Sequence, residues 1–108
     1  VLICGLAYKK NVGDVRESPA VEIIERLSVL GADVCYSDPY VQRIPPMRHH
    51  ALTMESVALT ESLLRSVDCV LIATDHDAFD YELIARCAHM VIDTRGRYRK
   101  AGANIVKA

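Results

Sequence analysis

The chain has 108 residues, 51% hydrophobic and 25% charged, which suits a single domain with one apolar core and excludes a disordered segment. Its 13 basic and 14 acidic residues give a formal net charge of −1, so no bulk field draws nucleic acid or an anionic membrane surface. The longest strongly apolar run, Cys69-Val70-Leu71-Ile72-Ala73, is far shorter than the roughly 20 residues that cross a bilayer.

Val1-Leu2-Ile3-Cys4 is apolar on both faces and predicts a buried parallel strand. With no basic leader before it, the chain reads as a piece of a longer polypeptide. A loop carrying Lys9, Lys10 and Arg16 follows Gly5. Because Leu6, Ala7, Tyr8, Lys9 and Lys10 come after that glycine, no G-x-G-x-x-G can be written. An anion at this loop would therefore be met by Lys and Arg side chains rather than by a backbone cradle. Ser18-Pro19 supplies an N-cap and a favoured first helical residue. Ala20, Ile23, Ile24, Leu27 and Leu30 keep helical spacing, Glu22 and Arg26 lie one turn apart on the other face, and Gly31 closes the helix. Residues 33–36 form the second predicted strand, ended by Asp38-Pro39, and the β-α-β unit should cross over right-handed.

Periodicity lapses over residues 41–54, where Pro45-Pro46 and Arg48-His49-His50 predict a surface excursion. On a strand the two histidines would face opposite ways, and no third ligand stands nearby, so they read as a solvated pair rather than a metal site. A short third strand is predicted near residues 57–59. Thr60 then caps a helix over 61–66, with Leu59 and Leu64 placed as a hydrophobic staple. Residues 69–73 are the central strand by apolarity, 74–77 a loop, and 81–87 a third helix. Met90-Val91-Ile92 and the short edge segment Asn104-Ile105-Val106 complete the pattern, with Gly96 and Gly102 between them. Strands alternating with helices predict a three-layer αβα, Rossmann-like domain with a mainly parallel sheet of five to six strands. Cys4, Cys35, Cys69 and Cys87 fit no C-x-x-C or zinc spacing and read as small buried apolar side chains in a reducing cytoplasm.

Open α/β sheets bind ligands beyond the carboxyl ends of their strands. The pattern puts Tyr8 and Lys9, Asp38, Thr74 to His76, and Thr94-Arg95 there. Two cations and an aromatic ring suit a nucleoside diphosphate better than a carboxylate or a metal, although Tyr8 could equally cover a strand end as core. Arg95, Arg97, Arg99 and Lys100 form a second basic cluster, for which plain surface charge is the competing explanation. His76 has the chemistry of a general base, but loops at strand ends commonly cap the next helix, and a structural role is the expectation.

Five blocks carry a family resemblance: Gly5-Leu6-Ala7-Tyr8-Lys9, Asp14-Val15-Arg16-Glu17-Ser18-Pro19, Tyr36-Ser37-Asp38-Pro39-Tyr40, Thr74-Asp75-His76-Asp77-Ala78-Phe79 and Asp93-Thr94-Arg95. In this order they resemble the C-terminal domain of the UDP-glucose/GDP-mannose dehydrogenase family, the nucleotide-sugar 6-dehydrogenases. The Thr74-Asp75-His76 wording is more similar to the branch acting on UDP-N-acetylated hexosamines. The resemblance implies that residues 1–108 are a UDP-binding lid. The enzyme so implied oxidises the C6 alcohol of a UDP-sugar to a carboxylate, with two hydride transfers to NAD and a thiohemiacetal on a cysteine. The motifs of its N-terminal NAD-binding and central catalytic domains do not occur in this sequence. No catalytic residue is therefore expected here, and the chain alone should be inactive. By the same resemblance Tyr8 and Lys9 match the substrate-contacting aromatic–lysine pair, Arg95 a substrate-contacting arginine, and Arg16 the arginine that reaches the cofactor. Tyr8 stands where many members carry phenylalanine, which leaves stacking intact. The implied partners are a UDP-sugar and the two other domains of the same polypeptide. The intact enzyme is expected to be a cytoplasmic homo-oligomer in polysaccharide biosynthesis, without nucleic-acid or membrane partners. A free-standing Rossmann-like nucleotide-binding or scaffold module remains the alternative, whereas Lys9 and Lys10 argue against a receiver, which needs an acidic pocket at that rim.

Overall fold

The structure, a computed structural model, describes residues 1–15, 18–44, 54–99 and 102–108. Its strands are β1 (Leu2–Cys4), β2 (Cys35–Ser37), β3 (Val70–Ile72), β4 (Val91–Asp93) and β5 (Ile105–Lys107), and its helices α1 (Pro19–Val29), α2 (Glu61–Ser66) and α3 (Tyr81–Cys87). The sheet runs in the order β2-β1-β3-β4-β5 with every neighbouring pair parallel. Leu2 lies between Cys35 and Val70, and Val70 opposite Val91. Because side chains alternate along a strand, one face sends Ile3 and Tyr36 against Ala20, Val21 and Ile24 of α1. The other sends Leu2, Cys4, Val70, Ile72 and Val91 against Leu64 of α2 and Ile84 and Cys87 of α3. This is the three-layer arrangement that the alternating pattern predicts.

The helix signals act as their chemistry requires. The Ser18 hydroxyl accepts the Ala20 N–H at 3.2 Å, Pro19 opens α1, and Gly31 follows its end at φ 92°. Glu22 and Arg26 pair at 2.9 Å on the exposed face. Thr60 accepts from Leu63 N–H, and Leu59 joins the same apolar cluster as buried Leu64.

Two details differ from the pattern. Residues 57–59 do not form a strand. Val57 N–H reaches Tyr36 O on the edge of β2 at 2.9 Å, but Ser56 N–H is taken by Gln42 O, and Glu55 bridges Arg43 in antiparallel fashion. The segment spends its backbone groups on the 42–44 loop before the Thr60 cap begins, so no ladder propagates. The predicted excursion at Pro45-Pro46 and Arg48-His49-His50 lies outside the described residues. Of the cysteines, only Cys4 and Cys87 are buried. Cys35 and Cys69 are partly open, because one begins the edge strand β2 and the other precedes β3. All four are free, and burial pushes the thiols of Cys4, Cys35 and Cys69 up from their ordinary range. Among the described residues no helix is long and apolar enough to cross a membrane.

Candidate functional site at the carboxyl ends of the strands

The chain leaves β1 through α1 toward β2, and leaves β3 through α3 toward β4, in opposite directions along the sheet. The loops after β1 and β3 therefore diverge at a topological switch point, where open α/β sheets form their ligand crevice. They are packed closely below that crevice. Gly5 has φ 89°, and a Cβ there would lie 2.3 Å from Thr74 O. Cys4 O accepts the N–H groups of Ala73 and Thr74 at 2.9 and 3.2 Å, and Thr74 Oγ1 donates to Ala7 O. The glycine after β1 is thus filled by Thr74 and offers no open cradle to a pyrophosphate.

Tyr8, Lys9 and Lys10 stand on this rim and are exposed. Tyr8 is 45% exposed, so its ring is offered to solvent rather than to the core. Lys9 makes no ion pair among the described residues, whereas Lys10 lies 3.9 Å from Asp77. Arg95, beyond β4, donates from Nε to Ala73 O at 2.8 Å, and its N–H is taken by Asp93 Oδ1 at 3.0 Å. These bonds fix the base of Arg95 against the β3 loop, while its η nitrogens make no hydrogen bond among the described residues. Tyr8 and Lys9 therefore share a rim with Arg95 through the β3 loop, by way of Ala7–Thr74 and Ala73–Arg95, without touching it. Arg16 lies outside the described residues. Arg97 belongs to the framework: it bonds Asp77 Oδ1 at 2.7 Å and lies 4.5 Å over the ring of Tyr81.

Asp38 and His76 form a pair whose side chains are wholly buried. His76 Nε2 lies 2.8 Å from Asp38 Oδ2, and its Nδ1 accepts the Asn11 N–H at 2.7 Å. That acceptance identifies Nδ1 as the unprotonated nitrogen and Nε2 as the donor. Asp38 Oδ2 also accepts Leu6 N–H at 2.7 Å and Ala7 N–H at 3.1 Å, and Oδ1 accepts Tyr40 N–H at 2.7 Å. Burial alone would raise the Asp38 carboxyl, but hydrogen bonds from His76 and the amides of Leu6, Tyr40 and Ala7 outweigh it and hold the group below its ordinary range. With both ring nitrogens spent, His76 is no general base for a ligand on the rim.

Sequence reasoning missed Asn11. It sits at φ 64°, its Oδ1 accepts Asp77 N–H at 2.9 Å, and its Nδ2 donates to Asp77 Oδ2 at 2.8 Å. Asn11-Val12-Gly13 is the available signal, since Asn tolerates the left-handed region in turns. No group of His, Cys, Asp and Glu among the described residues is arranged to hold a metal ion.

A five-stranded parallel sheet with helices on both faces and a cationic, aromatic rim at its switch point defines a Rossmann-like domain. Residues 2–100 match the model of the UDP-glucose/GDP-mannose dehydrogenase family, UDP binding domain, and the chain belongs to that family. It is 34% identical over 104 residues to an NDP-N-acetyl-D-galactosaminuronic acid dehydrogenase of Ralstonia nicotianae, covering 91% of this chain and 23% of that protein. It is 35% identical over 98 residues to a UDP-glucose 6-dehydrogenase of Haloferax volcanii, covering 88% and 22%. The solved structure of a UDP-D-ManNAc dehydrogenase from Pyrococcus horikoshii superposes with a TM-score of 0.71 at 25% identity, over 98% of this chain and 24% of that one. The chain thus spans roughly a quarter of the length of these relatives.

Proposed function

We propose that this chain is the C-terminal UDP-binding domain of an NAD-dependent nucleotide-sugar 6-dehydrogenase, which oxidises the C6 alcohol of a UDP-hexose to a uronate. The observation that carries the reading is one rim, in a domain of this family, that bears an exposed ring, a lysine with no ion pair among the described residues and an arginine whose side chain is anchored through Nε. Tyr8 stacks on the nucleoside, Lys9 meets the diphosphate as a point charge, and Arg95 meets it with its fork of η nitrogens. NAD would supply the hydride-accepting chemistry of the whole enzyme. The filled Gly5 turn does not fit its pyrophosphate, so its seat and the nucleophilic cysteine belong to N-terminal and central domains of the same polypeptide, with Arg16 as this chain's contribution to the cofactor.

Four free cysteines suit a cytoplasmic enzyme, as expected for polysaccharide biosynthesis. Thr74-Asp75-His76, together with the Ralstonia and Pyrococcus relatives, favours a UDP-N-acetylhexosamine as substrate, and the intact enzyme is read as a homo-oligomer. Isothermal titration of the chain with UDP tests the reading. Parent binding that weakens as salt is raised, with weaker and less salt-dependent binding in Lys9→Ala, supports it. Equal binding by the parent, Lys9→Ala and Arg95→Ala rejects it.

A further inference from the structure

Residues 8–14 are all exposed, so apolar packing does little to fix the loop that carries Tyr8 and Lys9. Its position depends on polar anchors at its two ends. At the entry, Asp38 Oδ2 accepts both Leu6 N–H and Ala7 N–H. At the far side, His76 Nδ1 accepts Asn11 N–H. The two anchors are themselves joined, through His76 Nε2 and Asp38 Oδ2 at 2.8 Å, and neither side chain meets solvent. Tyr8, Lys9 and Lys10 are the three residues held between them.

We infer that the Asp38–His76 pair, reaching from the ends of β2 and β3, is a bracket that positions Tyr8 and Lys9 for the ligand. This deepens the UDP-binding reading and rests on it for the identity of the ligand. Asp38 and His76 are positioning residues and touch no ligand themselves. The imidazole is suited to the task because a single ring accepts from one loop amide and donates to the carboxylate that holds the others. Asp77 supports the bracket from outside by pairing with the Asn11 side chain.

Two substitutions separate the halves of the ring. In His76→Asn the side-chain oxygen takes the place of Nδ1 and can still accept from Asn11. In His76→Gln the amide nitrogen takes the place of Nε2, and the acceptor is lost. The expected result for His76→Gln is a fall in hydrogen-exchange protection at the Asn11 amide and a loss of UDP affinity of roughly three- to tenfold. His76→Asn should retain most of both, with melting temperatures showing that each variant is folded. If the two variants lose UDP affinity equally and in step with their melting temperatures, the pair serves stability alone and the inference fails. It fails too if His76→Gln loses protection at Asn11 but binds UDP as the parent does. Should a variant not fold, the parent decides: UDP must raise protection at the Tyr8 and Asn11 amides, and no change overturns the inference. Lys9→Ala separates the two claims. If it binds UDP as well as the parent, Lys9 is not a diphosphate contact and that assignment falls, while the bracket is judged on the Asn11 amide, which must still distinguish the two His76 variants.

Discussion

The Arg95 guanidinium is held through Nε, while its two η nitrogens bond nothing among the described residues, and that division governs what its replacement should do. Nε is committed to Ala73 O, so the guanidinium plane is set by the β3 loop and its η nitrogens project as a fixed fork. A lysine keeps the charge but offers a single nitrogen, so it cannot anchor at Ala73 O and still present a fixed two-nitrogen fork to a diphosphate. Arg95→Lys should therefore weaken UDP nearly as much as Arg95→Ala, by about 1.5–3 kcal/mol or roughly ten- to a hundredfold in affinity, which titration with UDP reads directly. Full affinity in the lysine variant would mean that only charge matters there. Gly5 poses the opposite case, a residue defined by what it lacks. Its φ of 89° strains any side chain, and the added Cβ would collide with the Thr74 backbone, which cannot swing away as a side-chain tip could. Gly5→Ala should cost about 3 kcal/mol or more and lower the melting temperature by roughly 12–24 °C. A shift of only a few degrees would show that the two loops are not tightly joined.

Between the residue and the fold, Ser18 ties an element to the site. Its hydroxyl accepts from Ala20 N–H to cap α1 and donates to Leu6 O in the loop after β1. Ser18→Ala removes both bonds and leaves a buried carbonyl unpaired, so it should cost about 2 kcal/mol, seen as a lower urea midpoint with an unchanged slope. An unaltered midpoint would mean that Pro19 alone starts the helix. The cap was legible in the sequence because capping is local chemistry: Ser18-Pro19, Thr60 and Gly31 each act within a few residues of themselves. The same holds for the strands, whose apolar runs are nearly continuous because both sheet faces are covered. What was not legible depends on pairing at long range. Val57-Ala58-Leu59 is a short apolar run as a strand would be, yet Ser56 and Glu55 are drawn to the 42–44 loop. Asp38 and His76 could each be placed on the rim from their strand ends, but nothing local announces that they meet. Tyr8, Lys9 and Arg95 were placed on that rim by the same strand-end argument, whereas Asn11 was overlooked because its part depends on Asp77, far along the chain.

Across the whole molecule polarity is distributed unevenly in a way that bears on stability. Among the described residues the buried polar groups are Ser18, Ser37, Asp38, Thr74, His76 and Asp93, and all lie at the carboxyl end of the sheet. The middle of the sheet is held by apolar packing on both faces, while the functional end is held by hydrogen bonds to buried side chains. That end should therefore be the acid-sensitive one. Asp38 has an ordinary value of 3.8, and its network lowers it further in the folded state. Between the folded value and 3.8 the unfolded chain binds more protons than the folded one, so stability rises with pH in that window. The contribution is complete above the ordinary value and is lost as pH falls through the folded one. Asp77, which the Arg97 hydrogen bond also holds low, acts in the same direction, so acid unfolding of the parent alone cannot isolate Asp38. Comparison with Asp38→Asn does, because the amide does not titrate while Asp77 is common to both chains. The parent should be the more stable at pH 6, and its advantage should shrink as the pH is lowered through 4 toward 2. Urea unfolding of both chains across that range measures the gap, and a gap that stays constant would show that the buried carboxylate does not couple protonation to the fold.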